Sequence, residues 1–340
     1  MTTDPPLSRI PPAPPRRRRS DFLVIGVLLA LFLAGILGLA AATGWQETAA
    51  QIARLSAVQI GGLLVLSLAN YLMRALRWHV FARRLGLPVG PLQSLRHYLG
   101  GFAMSVTPGR VGELVRMRWL RRETGWSVER TAPLALVDRA SDLAVMALIL
   151  ALAVSLAAGG MGGGLAVAVA ALAVAYAATR PRLIAAAVTL GYRATGRLPR
   201  LFARARVAAR SLSRFSHPPV LLAALALGFA GWLAEGFAFH LLLGWMGSDI
   251  GLWKAIGIFV FATLAGGLTG TPGGVGGAEA AMIALLSLEG VPMEVSVPAT
   301  AVIRATTLWF ALVLGIAAFP LAEKCSTKVP TRGRDALEDR

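Results

Sequence analysis

Long apolar runs separated by short polar stretches make up most of this sequence. A helix needs about 20 apolar residues to cross roughly 30 Å of hydrocarbon, and several of the runs reach that length. Small residues occur throughout them, which suits close helix packing in lipid. The pattern predicts an all-α polytopic membrane protein with about six full transmembrane helices, at about residues 22–42, 58–80, 131–158, 165–178, 220–246 and 295–319.

Two further apolar stretches, residues 94–120 and 255–288, are each interrupted by a T-P-G motif. Proline lacks an amide donor and glycine tolerates positive φ, so both stretches should leave the helical conformation there. The interrupting residues are Pro108, Gly109, Gly112, Pro272, Gly273, Gly274 and Gly276. We predict two re-entrant broken hairpins, because irregular backbone at membrane depth is tolerated only when buried in protein or lining a polar cavity. A plain helix–loop–helix hinge is the alternative.

The two halves of the chain align with each other. Residues 131–143 match residues 296–308, which pairs Arg139 with Arg304, and the T-P-G motifs pair at nearly the same separation. Loop charges place equivalent elements on opposite sides, so we predict two inverted-topology repeats, an architecture of many secondary transporters. Chance similarity between Ala/Leu/Gly-rich segments is the alternative. The predicted domains are a disordered cytoplasmic Pro/Arg-rich tail, two membrane repeats and a polar cytoplasmic tail, at residues 1–20, 21–160, 161–320 and 321–340.

The charge distribution gives these segments an orientation. The chain is 56% hydrophobic with a net charge of +17, and its arginines cluster in short loops between the apolar runs. This is the positive-inside pattern rather than a nucleic-acid-binding surface. We expect a multi-pass protein of the cell (inner) membrane with both termini cytoplasmic, and we expect the basic segment 180–217 to lie along the anionic leaflet. One cysteine and four scattered histidines form no metal-site pattern, and no cofactor is predicted.

Charged residues inside or beside the apolar runs are the candidates for chemistry. Each costs at least about 2.5–3.5 kcal/mol at a helix centre unless it is paired or hydrated. The candidates for substrate binding or translocation are Arg110, Glu113, Arg116, Asp138, Arg139, Asp142, Glu235, Glu279 and Arg304. Asp138 and Asp142 are four residues apart and should share a helix face with Arg139 beside them. We expect Arg139 to pair with Glu113 or Asp142.

In the second half, we expect Arg304 to pair with Glu279 or Glu235. These pairs could be structural locks for the hairpins or parts of a substrate or proton pathway, and the sequence favours neither. Each hairpin break opens a short helix whose free amides attract anions. Arg110 and Arg116 lie close to the first break. A phosphate-bearing lipid head group would suit that charge.

Three residues end the second span with a different expected role. Arg74, Arg77 and Trp78 precede the basic loop that should lie on the cytoplasmic side. Arginines near a helix end extend their charged heads to the interface, and tryptophan favours the same level. We therefore predict that these three side chains are interfacial.

At these motifs the sequence resembles the family of the lysylphosphatidylglycerol synthase transmembrane region, also called flippase-like domain proteins. The resemblance rests on N-Y-L-M-R-A-L-R-W, T-P-G-R-V-G-E-L-V-R, D-R-A-S-D, T-P-G-G-V-G-G-A-E and the last-span arginine, at residues 70–78, 107–116, 138–142, 271–279 and 304. It implies translocation of lipids such as aminoacylated phosphatidylglycerol or polyprenyl-linked sugars. The family's bifunctional members add an aminoacyl-transferase domain that we do not expect in this chain, so we expect no lysylphosphatidylglycerol synthesis by it.

The favoured hypothesis is a flippase-like transporter, not an enzyme, that moves an anionic or zwitterionic phospholipid or a polyprenyl-linked lipid between leaflets. A second hypothesis is an accessory membrane subunit that docks a separate glycosyltransferase or lipid synthase through the basic residues 180–214. A third is a membrane lipid transferase, although the sequence holds no nucleophile elbow, P-loop or dinucleotide fingerprint.

Overall fold

The computed structural model describes residues 50–105, 111–157 and 217–327, with the single positions 186, 189, 190 and 215 between them. Within these ranges every regular element is helical. The helices are α1 (Ala57–Leu85), α2 (Pro91–Gly101), α3 (Val111–Thr124), α4 (Val128–Ala157), α5 (Pro218–Trp245), α6 (Leu252–Leu268), α7 (Gly277–Leu288), α8 (Met293–Arg304) and α9 (Phe310–Thr327). The predicted spans at 22–42 and 165–178, the first T-P-G turn and most of the basic segment 180–217 lie outside the described residues.

Four stretches of helix are long and apolar enough to cross a membrane. They are α1, α4, α5 and the continuous stretch Met293–Thr327, in which a π-helical turn at Ala305–Trp309 joins α8 to α9. These are the predicted second, third, fifth and sixth spans, and their bounds agree with the prediction to within a few residues at most ends. The last helix runs further than expected, to Thr327.

Short helices flank each predicted break. In the first half α2 continues into a 3-10 turn at Phe102–Met104, and α3 begins at Val111 after the undescribed turn. In the second half α6 ends at Leu268, a 3-10 turn covers Pro272–Gly274, and α7 follows. The two arms of each stretch pack against each other. The described helices therefore follow the order long, short, short, long in both halves.

The second break is formed by glycines that no other residue could easily replace. Gly273 and Gly274 have φ of 67° and 70°, in the left-handed region that L side chains rarely adopt. The turn is also tight, because a Cβ on Gly266 of α6 would lie 2.7 Å from the Cβ of Ala278 on α7. Gly273 and Gly274 therefore lie outside right-handed helical geometry between α6 and α7.

Helix α1 lies at the centre of the described packing. It contacts α2, α4, α5 and the π-helical turn, and its contact with α5 is the most extensive between the described elements. Glycines of α5 allow this approach, since a Cβ on Gly231 would come within 2.6 Å of Asn70 Oδ1. Small residues at helix contacts are the usual means of close packing in membranes. The polar residues of α1 are thereby enclosed between α4 and α5.

Candidate functional site: a buried charge network

One face of α1 carries a row of polar and aromatic residues into the protein interior. Asn70, Tyr71, Arg74, Arg77 and Trp78 recur at helical spacing, and all five are buried. Such a row inside a membrane-length helix is costly unless each charge finds a partner. The partners come from α4 and α5.

Arg77 binds both aspartates of α4. Its Nη2 lies 2.7 Å from Asp138 Oδ1 and 2.7 Å from Asp142 Oδ1, and its Nε lies 3.2 Å from Asp138 Oδ1. Arg74 Nη2 completes the set at 2.6 Å from Asp142 Oδ2. We call Arg74, Arg77, Asp138 and Asp142 the charge network. It contains two positive and two negative side chains and is therefore neutral overall.

Two neighbours complete this network. The indole Nε1 of Trp232 on α5 donates to Asp142 Oδ1 at 3.2 Å, and the guanidinium of Arg74 lies 4.9 Å from the same indole ring. Arg139 reaches Asp142 Oδ2 only at 3.7 Å, and its side chain is 33% exposed. The predicted Arg139–Asp142 pair is present, but its distance is longer than those from Asp142 to Arg74 and Arg77. The main partners of Asp142 are therefore the arginines of α1.

The prediction that Arg74, Arg77 and Trp78 extend to the membrane interface is wrong. An arginine that extends to the interface keeps its charged head in water. Here Arg77 and Trp78 are fully buried, and Arg74 is almost so. Two aspartates of α4 pair with the guanidinium groups and take the place of the water that would hydrate them at an interface. The charged heads therefore turn inward.

A second ion pair holds the broken hairpin of the second half. Arg304 Nε donates to Glu279 Oε1 at 2.6 Å, and Arg304 Nη2 donates to the carbonyl of Gly273 at 2.9 Å. Glu279 Oε2 accepts from the amide of Gly276 at 2.6 Å, at the start of α7. We call these four residues the hairpin clamp. Of the two partners expected for Arg304, the structure selects Glu279.

The clamp is continuous with a distortion in the last span. The π-helical turn begins directly after Arg304. The Tyr71 hydroxyl of α1 donates to the carbonyl of Thr307 within that turn. A π-helical turn inserts one residue into the helix and frequently marks a functional position. Tyr71 therefore joins the row on α1 to the span that carries the clamp.

Glu235 on α5 is the buried carboxylate that lies between these two groups. It is 4% exposed and within electrostatic range of Arg74, Asp142 and Arg304. The fully buried amide of Asn70 adjoins it. In the part of the chain that the structure describes, Glu235 forms no ion pair, so the predicted Arg304–Glu235 pair is not made.

In the first half, Arg116 is enclosed by aromatic rings. Its guanidinium lies 4.1 Å from the centre of the Tyr98 ring and 5.3 Å from that of Trp78, and Nη2 donates to the Tyr98 carbonyl at 3.1 Å. A Cβ on Gly101 would occupy the space of the Arg116 side chain. Arg110 and the side chain of Glu113 lie outside the described residues, so anion binding at the first break stays a prediction.

Two further carboxylates hold α3 against the neighbouring helices α9 and α2. Glu323 on α9 accepts from Arg118, Trp119 and Arg122, each at 2.7 Å. Glu123 pairs with Arg96 at 2.7 Å and contacts His97. Burial alone would raise the pKa of Glu123, but hydrogen bonds from its α2 neighbours hold that pKa below its ordinary value.

The family profile of the lysylphosphatidylglycerol synthase TM region matches residues 23–315 of this chain, which include the charge network and the clamp. The chain belongs to this family. A member of the lysylphosphatidylglycerol synthase TM region family with four membrane-length helices is a multi-pass membrane protein. The chain is also similar to a UPF0104 membrane protein of Methanothermobacter thermautotrophicus, with 35% identity over 101 residues. That match spans 30% of this chain and 30% of the relative.

Five of the predicted site residues of this family member fall into three sets. Asp138 and Asp142 belong to the charge network and Glu279 and Arg304 to the clamp, whereas Glu235 forms no ion pair with any described residue. Sequence reasoning missed the central position of Arg74 and Arg77. The helical spacing of polar residues through an apolar span was the signal that could have found it.

Proposed function

We propose that the protein moves an anionic or zwitterionic lipid, either a phospholipid or a polyprenyl-linked lipid, between the leaflets of the cell membrane. One observation carries the proposal. Four membrane-length helices carry buried charges, Arg304 of the last one contacts the broken hairpin, and Glu235 lies within electrostatic range of both the charge network and Arg304. Ionisable residues inside membrane spans are expensive and usually mark a pathway.

The architecture that we propose is six spans and two re-entrant hairpins in two inverted repeats, with both termini cytoplasmic. The recurrence of the same element order in both halves supports it. In transporters built this way, broken helices meet near the bilayer midplane and form the substrate site there. The second T-P-G break, held by Arg304, is the described element that fits this role.

The clamp is suited to bind an anion, because a phosphate can replace Glu279 as the partner of Arg304. Arginine binds a carboxylate and a phosphate with the same planar set of donors. A lipid phosphate would take the place of Glu279 on Arg304, and the turn at Gly273 would then lose its hold. The charge network on α1 and α4, which is neutral and enclosed, would keep those helices together while the hairpin moves.

The test is lipid translocation by purified protein in liposomes that contain a fluorescent phosphatidylglycerol. We expect the wild-type protein to move the lipid, and Arg304→Ala to reduce the rate to that of empty liposomes. Lys254→Met is the matched control, because it removes the exposed pair with Glu289 at the far end of the same hairpin. Each variant is first checked for a monodisperse profile in detergent.

Two results would count against the proposal. One is a wild-type rate no higher than that of empty liposomes with phosphatidylglycerol, phosphatidylethanolamine and a polyprenyl phosphate. The other is full activity in Arg304→Ala. Absent translocation together with a co-purifying glycosyltransferase or lipid synthase would favour the accessory-subunit hypothesis instead.

A further inference from the structure

The buried carboxylates of the membrane-length helices and the second hairpin differ in one respect. Asp138, Asp142 and Glu279 each lie within 2.7 Å of an arginine nitrogen. Glu235 has no such partner among the described residues, although it is almost fully buried. The difference requires an explanation, because an ionised carboxylate in this position has no counter-charge of its own.

The groups around Glu235 do not supply that charge. From α1 it faces Asn70, Tyr71 and Arg74, from α4 Asp142, and from α8 Arg304. Both arginines are already bound at 2.6 Å, Arg74 by Asp142 and Arg304 by Glu279. On the α6 side the packing is apolar, where Ile256 lies against Gly236. Among the described residues, an ionised Glu235 would therefore have no arginine of its own within ion-pair distance.

The space beside Glu235 decides between the cations that could neutralise it. A Cβ on Gly231 would lie 2.6 Å from Asn70 Oδ1, and a Cβ on Gly236 would lie 3.1 Å from Ile256. At these two positions the neighbouring helices lie in contact with α5, and of the possible cations a proton needs the least space.

Asn70 is suited to a protonated partner. Its amide oxygen and nitrogen are both buried, and neither makes a hydrogen bond of ordinary geometry with a described residue. A carboxylic acid presents an O–H donor beside a carbonyl acceptor, which matches an N–H donor and the carbonyl acceptor of a primary amide. The acid O–H can donate to Asn70 Oδ1 while Asn70 Nδ2 donates to the acid carbonyl, and both groups are then satisfied.

We infer that Glu235 is a proton-binding site and that H⁺ is the ion coupled to movement of the hairpin. In the described arrangement the carboxyl group is protonated. When Glu235 releases H⁺ to the aqueous phase, its carboxylate attracts Arg304 away from Glu279. The carbonyl of Gly273 loses its donor in the same step, so the second turn is freed. The coupling part of this inference rests on the proposed transport function, whereas the proton site does not.

The proton is measured directly by infrared spectroscopy of the full chain in lipid nanodiscs at neutral pH. A protonated carboxylic acid has a carbonyl stretch that is separate from the bands of carboxylates and amides. We expect this band in the wild type, its loss in Glu235→Gln, and its retention in Glu279→Gln. Glu279 is the matched control because it is a carboxylate of the second hairpin that pairs with an arginine, Arg304, at 2.6 Å.

The inference is wrong if the wild type lacks the band or if the band persists in Glu235→Gln. Should Glu235→Gln fail to fold, Glu235→Asp replaces it, and the band must then move in frequency. A band that stays at its wild-type frequency in Glu235→Asp overturns the assignment.

The liposome assay separates this inference from the proposed function. We expect an imposed pH gradient to change the rate of fluorescent phosphatidylglycerol movement severalfold in the wild type. Equal rates with and without the gradient would refute coupling to H⁺ while leaving transport intact. A band assigned to Glu235 in a protein that moves none of the tested lipids would refute transport while leaving the proton site intact.

Discussion

At the scale of single residues, Arg77 is the arginine that binds both aspartates of the charge network. It is fully buried and contacts Asp138 and Asp142 at 2.7 Å each. Removing one partner of a buried ion pair costs about 3–5 kcal/mol, because the other partner keeps its desolvation penalty. We therefore expect Arg77→Met to lower the stability by that amount, measured as thermal unfolding of detergent-solubilised protein.

Two variants make this expectation specific to the buried pair. Arg139→Met removes an arginine from the same cluster, but its side chain is 33% exposed and 3.7 Å from Asp142, so the cost should be below about 1 kcal/mol. Arg77→Met combined with Asp138→Leu should recover most of the loss, since both buried charges then disappear. Equal stability of Arg77→Met and Arg139→Met would contradict the role assigned to Arg77.

The sequence could predict some of these contacts and not others. Asp138 and Asp142 were assigned to one helix face from their spacing, and both indeed bind Arg77. Arg74 and Arg77 lie near the end of a span, just before the basic residues Arg83 and Arg84. At that position the same spacing fits an interfacial arginine and a buried one equally well. The distinction depends on α4 lying alongside, which no local pattern encodes.

At the scale of helices, the close approach of α5 to the charge network depends on a glycine, Gly228. A Cβ on Gly228 would lie 2.9 Å from Arg77 Nη1 and 2.9 Å from Val145 Cγ2. Arg77 cannot move aside without lengthening its bonds to the aspartates. Overpacking of this kind costs about 1–3 kcal/mol. We expect Gly228→Ala to lower the unfolding temperature of the purified protein.

Gly244→Ala is the matched substitution in the same helix, since a Cβ there would meet no atom within 4 Å. It should leave stability unchanged or raise it by about 0.5–1 kcal/mol, the usual difference between the two residues in a helix. A loss in Gly244→Ala as large as that in Gly228→Ala would mean that α5 requires glycine for a reason other than its contact with α1.

The hairpin clamp makes a second prediction at this scale. Arg304→Lys keeps the charge but cannot reproduce both the Nε bond to Glu279 and the Nη2 bond to Gly273. Losing a hydrogen bond that involves a charged group costs about 1.5–3 kcal/mol. Amide hydrogen exchange at residues 273–280 should therefore accelerate roughly tenfold or more. Lys254→Met should leave exchange in this segment at the wild-type rate, and an unchanged rate in Arg304→Lys would refute the clamp.

The helices themselves were largely predictable, and the reason is their length. Runs of apolar residues gave α1, α4 and α5 nearly to their ends, because a span is defined by composition over many residues. The sequence leaves the choice between Glu279 and Glu235 as partner of Arg304 open. The choice is set by how the turn at Gly273 folds back on α8, and that depends on left-handed glycine conformations within the turn. Sequence shows that such a turn is allowed, but not which carboxylate it brings forward.

For the whole molecule, the main question is whether the two halves have opposite orientations. The α3–α4 connection follows a helix with Arg118, Arg121 and Arg122, whereas the α7–α8 connection carries Glu289 and is followed by Glu294 in the first turn of α8. Cytoplasmic loops are enriched in Arg and Lys. These two connections precede equivalent long helices, so an inverted repeat requires them to lie on opposite sides of the membrane.

Cysteine labelling with a membrane-impermeant maleimide tests this orientation. Cys325 is the one cysteine of the chain, so Cys325→Ser provides the background. Ser127→Cys precedes α4 and Glu294→Cys lies in the first turn of α8, and both positions are exposed. We expect Glu294→Cys to react in intact cells and Ser127→Cys to react only after the membrane is permeabilised. The loop charges predict that the two positions are labelled from opposite sides and that Glu294→Cys is the one on the outer side. Labelling of both positions from the same side would show that the halves are parallel, and the proposed architecture would then be wrong.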